Sequence, residues 1–244
     1  MAESKLVLHC GAKPVTVEEL AHFQAPSPLG RWFPLSHSHV LAVVTNTLTE
    51  AGYSIVKQQL GVLRDGSRFF GTLDLASPVT EGVSLAVGIR NSVDKSFPLG
   101  FCAGSRVFCC DNLSFRSELL VQRKHTIHGE RDFTRRMFDA VASLDSFKEQ
   151  EAARTEVLTQ TELDDNLADA LMLRAFERGI VGTRELPRVL QQWRNPSHEE
   201  FRPRTAWSLL NAFTSGMKER AIAQPQHFAV QSIRLHALLS PSDN

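Results

Sequence analysis

Residues 53–75 read YSIVKQQLGVLRDGSRFFGTLDL, and this stretch decides the fold. Its β-branched and apolar residues recur at a period near two, as a half-buried strand requires. Arg64-Asp65-Gly66-Ser67 interrupts the pattern, and Asp-Gly readily takes the positive φ angles of a tight primed turn. The reading is a β-hairpin, with Tyr53–Leu63 and Arg68–Leu75 as its arms. Ala76–Gly82 reads as a loop, Val83–Arg90 as a third strand and Gly100–Cys110 as a fourth. In the third strand Val83, Leu85, Val87 and Ile89 alternate with Ser84, Ala86, Gly88 and Arg90. That alternation places one face of the sheet on the core. The middle of the chain, about 53–110, is expected to be an antiparallel meander of about four strands.

Outward from the meander the period becomes helical. Upstream, Lys5–His9 is a short apolar segment suited to an edge strand. Thr16-Val-Glu-Glu19 matches a capping box, so a short helix is expected from Thr16 to about Phe23. Gln24–Pro34 holds three prolines and a glycine and reads as a loop. A helix follows from about Ser38, with Val40, Leu41, Val44, Leu48 and Ala51 at helical spacing and Gly52 as its stop. Downstream, Phe133, Met137, Val141 and Leu144 form one helical stripe, and Leu163, Leu167, Leu171 and Leu173 another, closing near Gly179. Further helices are expected from Thr183 to about Asn195, over Thr205–Met217 and over Phe228–Leu239. Helix, strands, then helices indicate an α+β fold. Residues 1–130 would form the sheet region and 131–244 a helical region, packed together as one domain.

The chain has 244 residues, 42% hydrophobic and 22% charged, with a formal net charge of zero. Disordered chains are poorer in apolar residues and less balanced in charge. Collagen-like and disulfide-scaffold classes are excluded by 14 glycines, 11 prolines and 4 cysteines. The opening MAESKLVLHCG lacks the basic region and long apolar run of a secretory signal. No stretch approaches the ~20 apolar residues of a membrane span. Cys10, Cys102, Cys109 and Cys110 do not resemble a disulfide framework. The expectation is a cytoplasmic protein without a membrane partner.

The zero net charge is unevenly built. Asp145–Glu177 carries nine acids and three bases. Arg116–Arg136 carries six bases and three acids, with His125 and His128 in addition, and Arg178–Arg234 carries nine bases and four acids. Such blocks are often solvated helix faces. The functional alternative for the basic ones is contact with phosphates.

Two segments are distinctive: Gly88-Ile-Arg-Asn-Ser-Val-Asp-Lys-Ser-Phe-Pro-Leu-Gly100 and Ser105-Arg-Val-Phe-Cys-Cys-Asp-Asn-Leu-Ser-Phe115. With Arg123-Lys-His-Thr126 and Leu209-Leu-Asn-Ala-Phe-Thr214 they resemble a phage- and plasmid-associated family catalogued as domain of unknown function 932. The likeness runs from about Val40 to Met217. Its motif residues here are Asn91, Ser92, Asp94, Asp111 and Asn112. Val93 departs from the pattern, where a histidine is expected. The resemblance implies an association with mobile genetic elements and no settled activity.

Each chemical reading has a structural alternative. Asn91, Ser92 and Asp94 suit a hydrogen-bonded turn, while Arg90 and Lys95, with Arg106 on the paired strand, could cradle a phosphate. Asp111 and Asn112 are turn formers too, although a carboxylate there could hold Mg²⁺. Asp94, Asp111 and Glu118 are too scattered in sequence to define a two-metal site. His125 and His128 lie three apart downstream of Cys109 and Cys110, but no Cys-x-x-Cys accompanies them and the ligand order is atypical for zinc. Cys109 reads as a small core residue rather than a nucleophile. No phosphate-binding glycine loop, dinucleotide fingerprint or His-Glu-x-x-His is present. No cofactor or metal is expected. Trp32, Trp193 and Trp207 each have an arginine nearby in sequence (Arg31, Arg194, Arg204) and serve either as packing anchors or as stacking surfaces for single-strand bases.

The leading expectation is a nucleic-acid-binding protein of a mobile element, preferring single-stranded DNA over duplex and assembling as a homo-oligomer. Its meander backed by helices is loosely similar to single-strand annealing proteins, at the level of fold only. Arg116, Arg123, Lys124, His125, His128, Arg131, Arg135 and Arg136 are the expected nucleic-acid contacts. Arg90, Lys95 and Arg106 are a secondary phosphate cluster. The alternatives are a metal-dependent phosphodiesterase using Asp94, Asp111 and His125, and a protein-interaction module using an acidic helix, Asp145–Glu177.

Overall fold

The computed structural model describes residues 12–107, 112–218 and 225–240, and their side chains except those of 106–120 and 225–229. The expected strand Lys5–His9, together with Cys10, Cys109, Cys110 and Asp111, lies outside the described residues. So do the side chains of Arg106, Asn112, Arg116 and Glu118.

The fold is α+β, built on one antiparallel sheet of six strands in meander order. The strands are β1 (Ala12–Pro14), β2 (Ile55–Leu63), β3 (Arg68–Thr80), β4 (Val83–Ser92), β5 (Leu99–Val107) and β6 (Asn112–Arg123). The hairpin 53–75 is present, with Val62 opposite Phe69 and Gln58 opposite Leu73. Its turn is not of the primed kind. Only Gly66 has a positive φ, 72°, and the turn closes by Gly66 N–H donating to the Leu63 carbonyl. Asp65 caps it by accepting from the Ser67 backbone and hydroxyl.

One expectation on strand extent is corrected. Ala76–Gly82 is not a loop: β3 continues to Thr80 and turns at Glu81-Gly82. Pro78 donates no ladder hydrogen bond, and the register shifts on both sides of it absorb that loss. The described part of the expected fourth strand is Leu99–Val107, residues 108–110 lying outside the described residues, and a further strand, β6, follows within the stretch read as a basic block.

The helices are α1 (Val17–Leu20), α2 (His37–Glu50), α3 (Gly129–Ala142), α4 (Leu144–Gln160), α5 (Asp165–Glu177), α6 (Leu186–Arg194), α7 (Ala206–Gly216) and α8 (Pro225–Leu239). The Thr16–Glu19 capping box forms as expected, with both reciprocal hydrogen bonds. Ser36 caps α2, Asp164 caps α5 and Thr205 caps α7, each accepting from the backbone N–H three residues on. The acidic stretch 145–177 is two helices, not one, because Asp164 starts a new N-terminus. The buried stripe of α5 is Ala168, Leu171, Met172 and Ala175, whereas Leu167 and Leu173 of the expected stripe are exposed.

Burial defines two apolar cores. The first lies on the sheet face presenting Leu60, Val62, Phe69, Leu73, Leu85, Val87, Ile89 and Phe101, covered by α2, α3 and the start of α4. The second gathers α5, α6, α7, α8 and the end of α4 around Trp193, Leu209 and Phe213. Trp207 packs against both. Among the described residues no helix is long and apolar enough to cross a membrane.

Candidate nucleic-acid interface

Three segments far apart in sequence meet beyond the end of the first core. The loop preceding α2 is pinned to the β6–α3 junction by Phe33 N–H donating to the His125 carbonyl, 3.1 Å. Leu35 N–H donates to His125 Nδ1, 3.3 Å. The turn between β4 and β5 joins through Lys95, whose ammonium lies 4.7 Å from the Trp32 ring centroid. Lys95 is also the one non-glycine residue with a positive φ, 66°, among those described.

A buried polar knot holds this junction. His37 Nε2 meets the Gly66 carbonyl at 2.9 Å, so that nitrogen carries the proton and Nδ1 is an acceptor. Asn91 uses both amide hydrogens, donating to His37 Nδ1 at 3.0 Å and to the Leu35 carbonyl at 2.9 Å. Its Oδ1 is buried without a hydrogen-bond partner. Burial pushes the His37 imidazole below its usual range, against the opposing pull of the Gly66 carbonyl and Asp94. Burial, reinforced by nearby His37, does the same to His125. Ser92 donates to the Phe97 carbonyl at 2.7 Å and accepts from Phe97 N–H. Asp94 accepts from Arg68 at 2.8 Å and from Ser96 N–H at 2.9 Å. Burial opposes ionisation of Asp94, yet these bonds outweigh it and hold the carboxyl down at about 2.

The motif residues Asn91, Ser92 and Asp94 therefore build the turn, and none is left as a free ligand. His125 is only 7% exposed and its Nδ1 is occupied, so it positions the loop and does not reach a surface ligand. Arg123 also departs from expectation: it is half-buried, donates to its neighbour's carbonyl on Gln122, and has a buried Nε. Lys124, His128, Arg131, Arg135 and Arg136 are exposed as expected. Arg131 and Arg135 stand one turn apart on α3, with His128 on the same side by helical spacing. Arg135 and Arg136 each lie one turn from both Asp132 and Asp139. Glu130 pairs with His39 at 2.6 Å, and Arg131 reaches Asp132 only at 3.6 Å. Lys95, Lys124 and Arg135 have no carboxylate partner among the described residues.

The secondary cluster does not assemble. Arg106 is in register with Ser84, six residues along β4 from Arg90, which at ~3.3 Å per residue is about 20 Å. Lys95 turns to Trp32 while Arg90 turns to Phe97, 5.2 Å from its ring centroid.

The second basic block is engaged internally in part, with Arg178, Arg184 and Arg234 exposed and without a carboxylate partner among the described residues. Arg194 bonds Asp165 at 2.5 Å and Asp169 at 2.6 Å. Arg204 lies over the Trp193 ring at 4.7 Å and donates to the Trp193 carbonyl. Trp193 itself is fully buried and donates to Asp165 at 2.9 Å. It is an anchor, not a stacking surface. Some acids of 145–177 are similarly occupied: Asp145 accepts from Tyr53, Glu151 pairs with Arg154, and Asp164 caps α5, whereas Glu149, Glu162 and Glu177 have no cationic partner among the described residues. Tyr53 is raised to about 12, chiefly by burial and by that bond to Asp145.

A phosphodiesterase reading gains little. Asp94 is committed to Arg68 and Ser96, and the acceptor nitrogen of His125 is taken by Leu35. Among the described residues no three His, Cys, Asp or Glu side chains group as a metal site. Burial pushes the Cys102 thiol up to about 12, so it carries no thiolate at neutral pH. Sequence reasoning missed His37 as the partner of Asn91 and Arg68 as the partner of Asp94. Both contacts are long-range, with no local signal. No family model, no curated protein and no solved structure matches the chain.

Proposed function

We propose that the protein binds single-stranded DNA by its phosphate backbone, along a surface formed by Lys95 with Trp32, Lys124, His128, Arg131 and Arg135. The observation that carries this reading is a contrast. Arg194, Arg202 and Arg204 of the second basic block have intramolecular partners, although its exposed Arg178, Arg184 and Arg234 have no carboxylate partner among the described residues. Lys95, Lys124 and Arg135, by contrast, have no carboxylate and belong to segments tied together at Trp32 and His125. Arg131 and Arg135 repel each other at i,i+4, which costs a few tenths of a kcal/mol in an isolated helix. A polyanion offsets that cost. The half-exposed Trp32, with a cation on its face, supports single strand over duplex, because only unpaired bases offer free faces for stacking. The association with a mobile element rests on the family resemblance, and self-assembly of the chain is part of the same proposal.

The test compares a single-stranded oligonucleotide with its duplex. Trp32→Ala is expected to weaken single-strand binding by about 1–3 kcal/mol, the range of one base–aromatic stack, and to leave duplex binding nearly unchanged. Equal loss on both ligands would remove the single-strand preference from the proposal.

A further inference from the structure

Arg90 alternates with the core-facing Ile89 and Asn91, so it projects from the opposite face of the sheet. Its cross-strand neighbours there are Phe70 on β3 and Gly100 on β5, and Gly100 is in turn opposite Gln122 on β6. Gly100 makes room for it: a Cβ at that position would come within 2.9 Å of Arg90 Nε and 3.1 Å of its Cγ. The side chain therefore lies across the glycine. The Phe97 ring faces the guanidinium at 5.2 Å and packs on Phe70 at 5.4 Å, which fixes the guanidinium plane.

This half-buried arginine lacks the partners its buried nitrogen would normally have. Its Nη2 is buried with no hydrogen-bond partner, and no carboxylate lies within ion-pair distance among the described residues. Burial pulls its proton affinity down, to about 10, and leaves it charged at neutral pH. A buried donor without an acceptor is destabilising, and a planar fork held flat is suited to two oxygens of one anion.

We propose that Arg90 anchors a phosphate-binding subsite on this face of the sheet, where Gly100 provides the space and Phe97 the orientation. The ligand is a phosphate group, from inorganic phosphate, a nucleotide or a strand terminus. The subsite does not depend on the nucleic-acid reading.

The full chain is titrated with inorganic phosphate, thymidine 5′-monophosphate and thymidine, each at constant ionic strength set with chloride. Thermal stability is followed together with the Arg90 Nε–H resonance. Phosphate or the monophosphate is expected to raise the melting temperature saturably and to shift that resonance in the wild-type chain. Thymidine should do neither. The saturable response should vanish in Arg90→Gln and weaken in Arg90→Lys, which keeps the charge and loses the fork. The resonance keeps the test valid if a variant folds poorly. The proposal is overturned if Arg90→Gln retains the wild-type response, if thymidine matches its monophosphate, or if neither phosphate moves the resonance. Loss of this response with single-strand binding intact would leave the nucleic-acid reading standing, and the reverse outcome would leave the subsite standing.

Discussion

Asn91 concentrates the chemistry of the junction. It is fully buried, and its two donated hydrogen bonds join β4 to α2 and to the loop before it. Asn91→Ala would strand the Leu35 carbonyl and His37 Nδ1. A loss of about 1–3 kcal/mol is expected for each buried group left unpaired, read by chemical denaturation. The two histidines give the knot a pH dependence. Both are held below the ordinary value of 6.5 by burial, so below that pH the unfolded chain binds protons that the folded chain resists. Stability should be full above about pH 6.5 and should fall as the pH drops from there toward the lowered folded values. His37→Gln should flatten the slope of denaturation midpoint against pH over this window. An unchanged slope would mean that His37 does not contribute to it.

At the scale of elements, the hairpin and most helices were legible because their signals are local. Alternation, capping residues and Gly52 each act within a few residues. What escaped was set by contacts at a distance. Pro78 made the end of β3 read as a loop, since a proline removes a ladder donor, and the register shifts that accommodate it leave no mark in the sequence. β6 was read through its charges, which obscured the alternating Leu113 and Phe115 of its first half. Gly66 shows a local rule with a tertiary reinforcement. Its φ of 72° disfavours a side chain, and a Cβ there would also lie 2.5 Å from Phe23. Gly66→Ala should therefore cost more than the ~1 kcal/mol expected from backbone conformation alone, with His37 losing its acceptor geometry as a second consequence. Thermal denaturation of this variant is the check.

For the whole molecule, the zero net charge of the chain is partly a sum of internal pairs. Arg194 neutralises Asp165 and Asp169 across α5 and α6, which takes two of the nine acids of the stretch 145–177. These bridges are half-exposed, so Arg194→Ala should change stability by less than about 1 kcal/mol. Folding leaves Lys124 and Arg135 of the first basic block without a carboxylate partner among the described residues, and brings Lys95 onto Trp32 from segments the sequence keeps apart. The local part of that surface, Lys124 through Arg135, could be read from the chain directly. Trp32 and Lys95 could each be singled out, but their meeting could not, because it depends on how His125 holds the loop.

If these cations face a polyanion, a salt series shows it most directly. Affinity for a single-stranded oligonucleotide is measured between about 50 and 200 mM salt for the wild-type chain and for Lys124→Ala/Arg131→Ala/Arg135→Ala. Each phosphate neutralised on a single strand contributes a slope of about −0.7 in log affinity against log salt. The wild type is predicted to lose affinity steeply, and the triple variant to bind more weakly with a slope flatter by about 2. No binding at the lowest salt, or an identical slope for the two proteins, would contradict the polyanion reading.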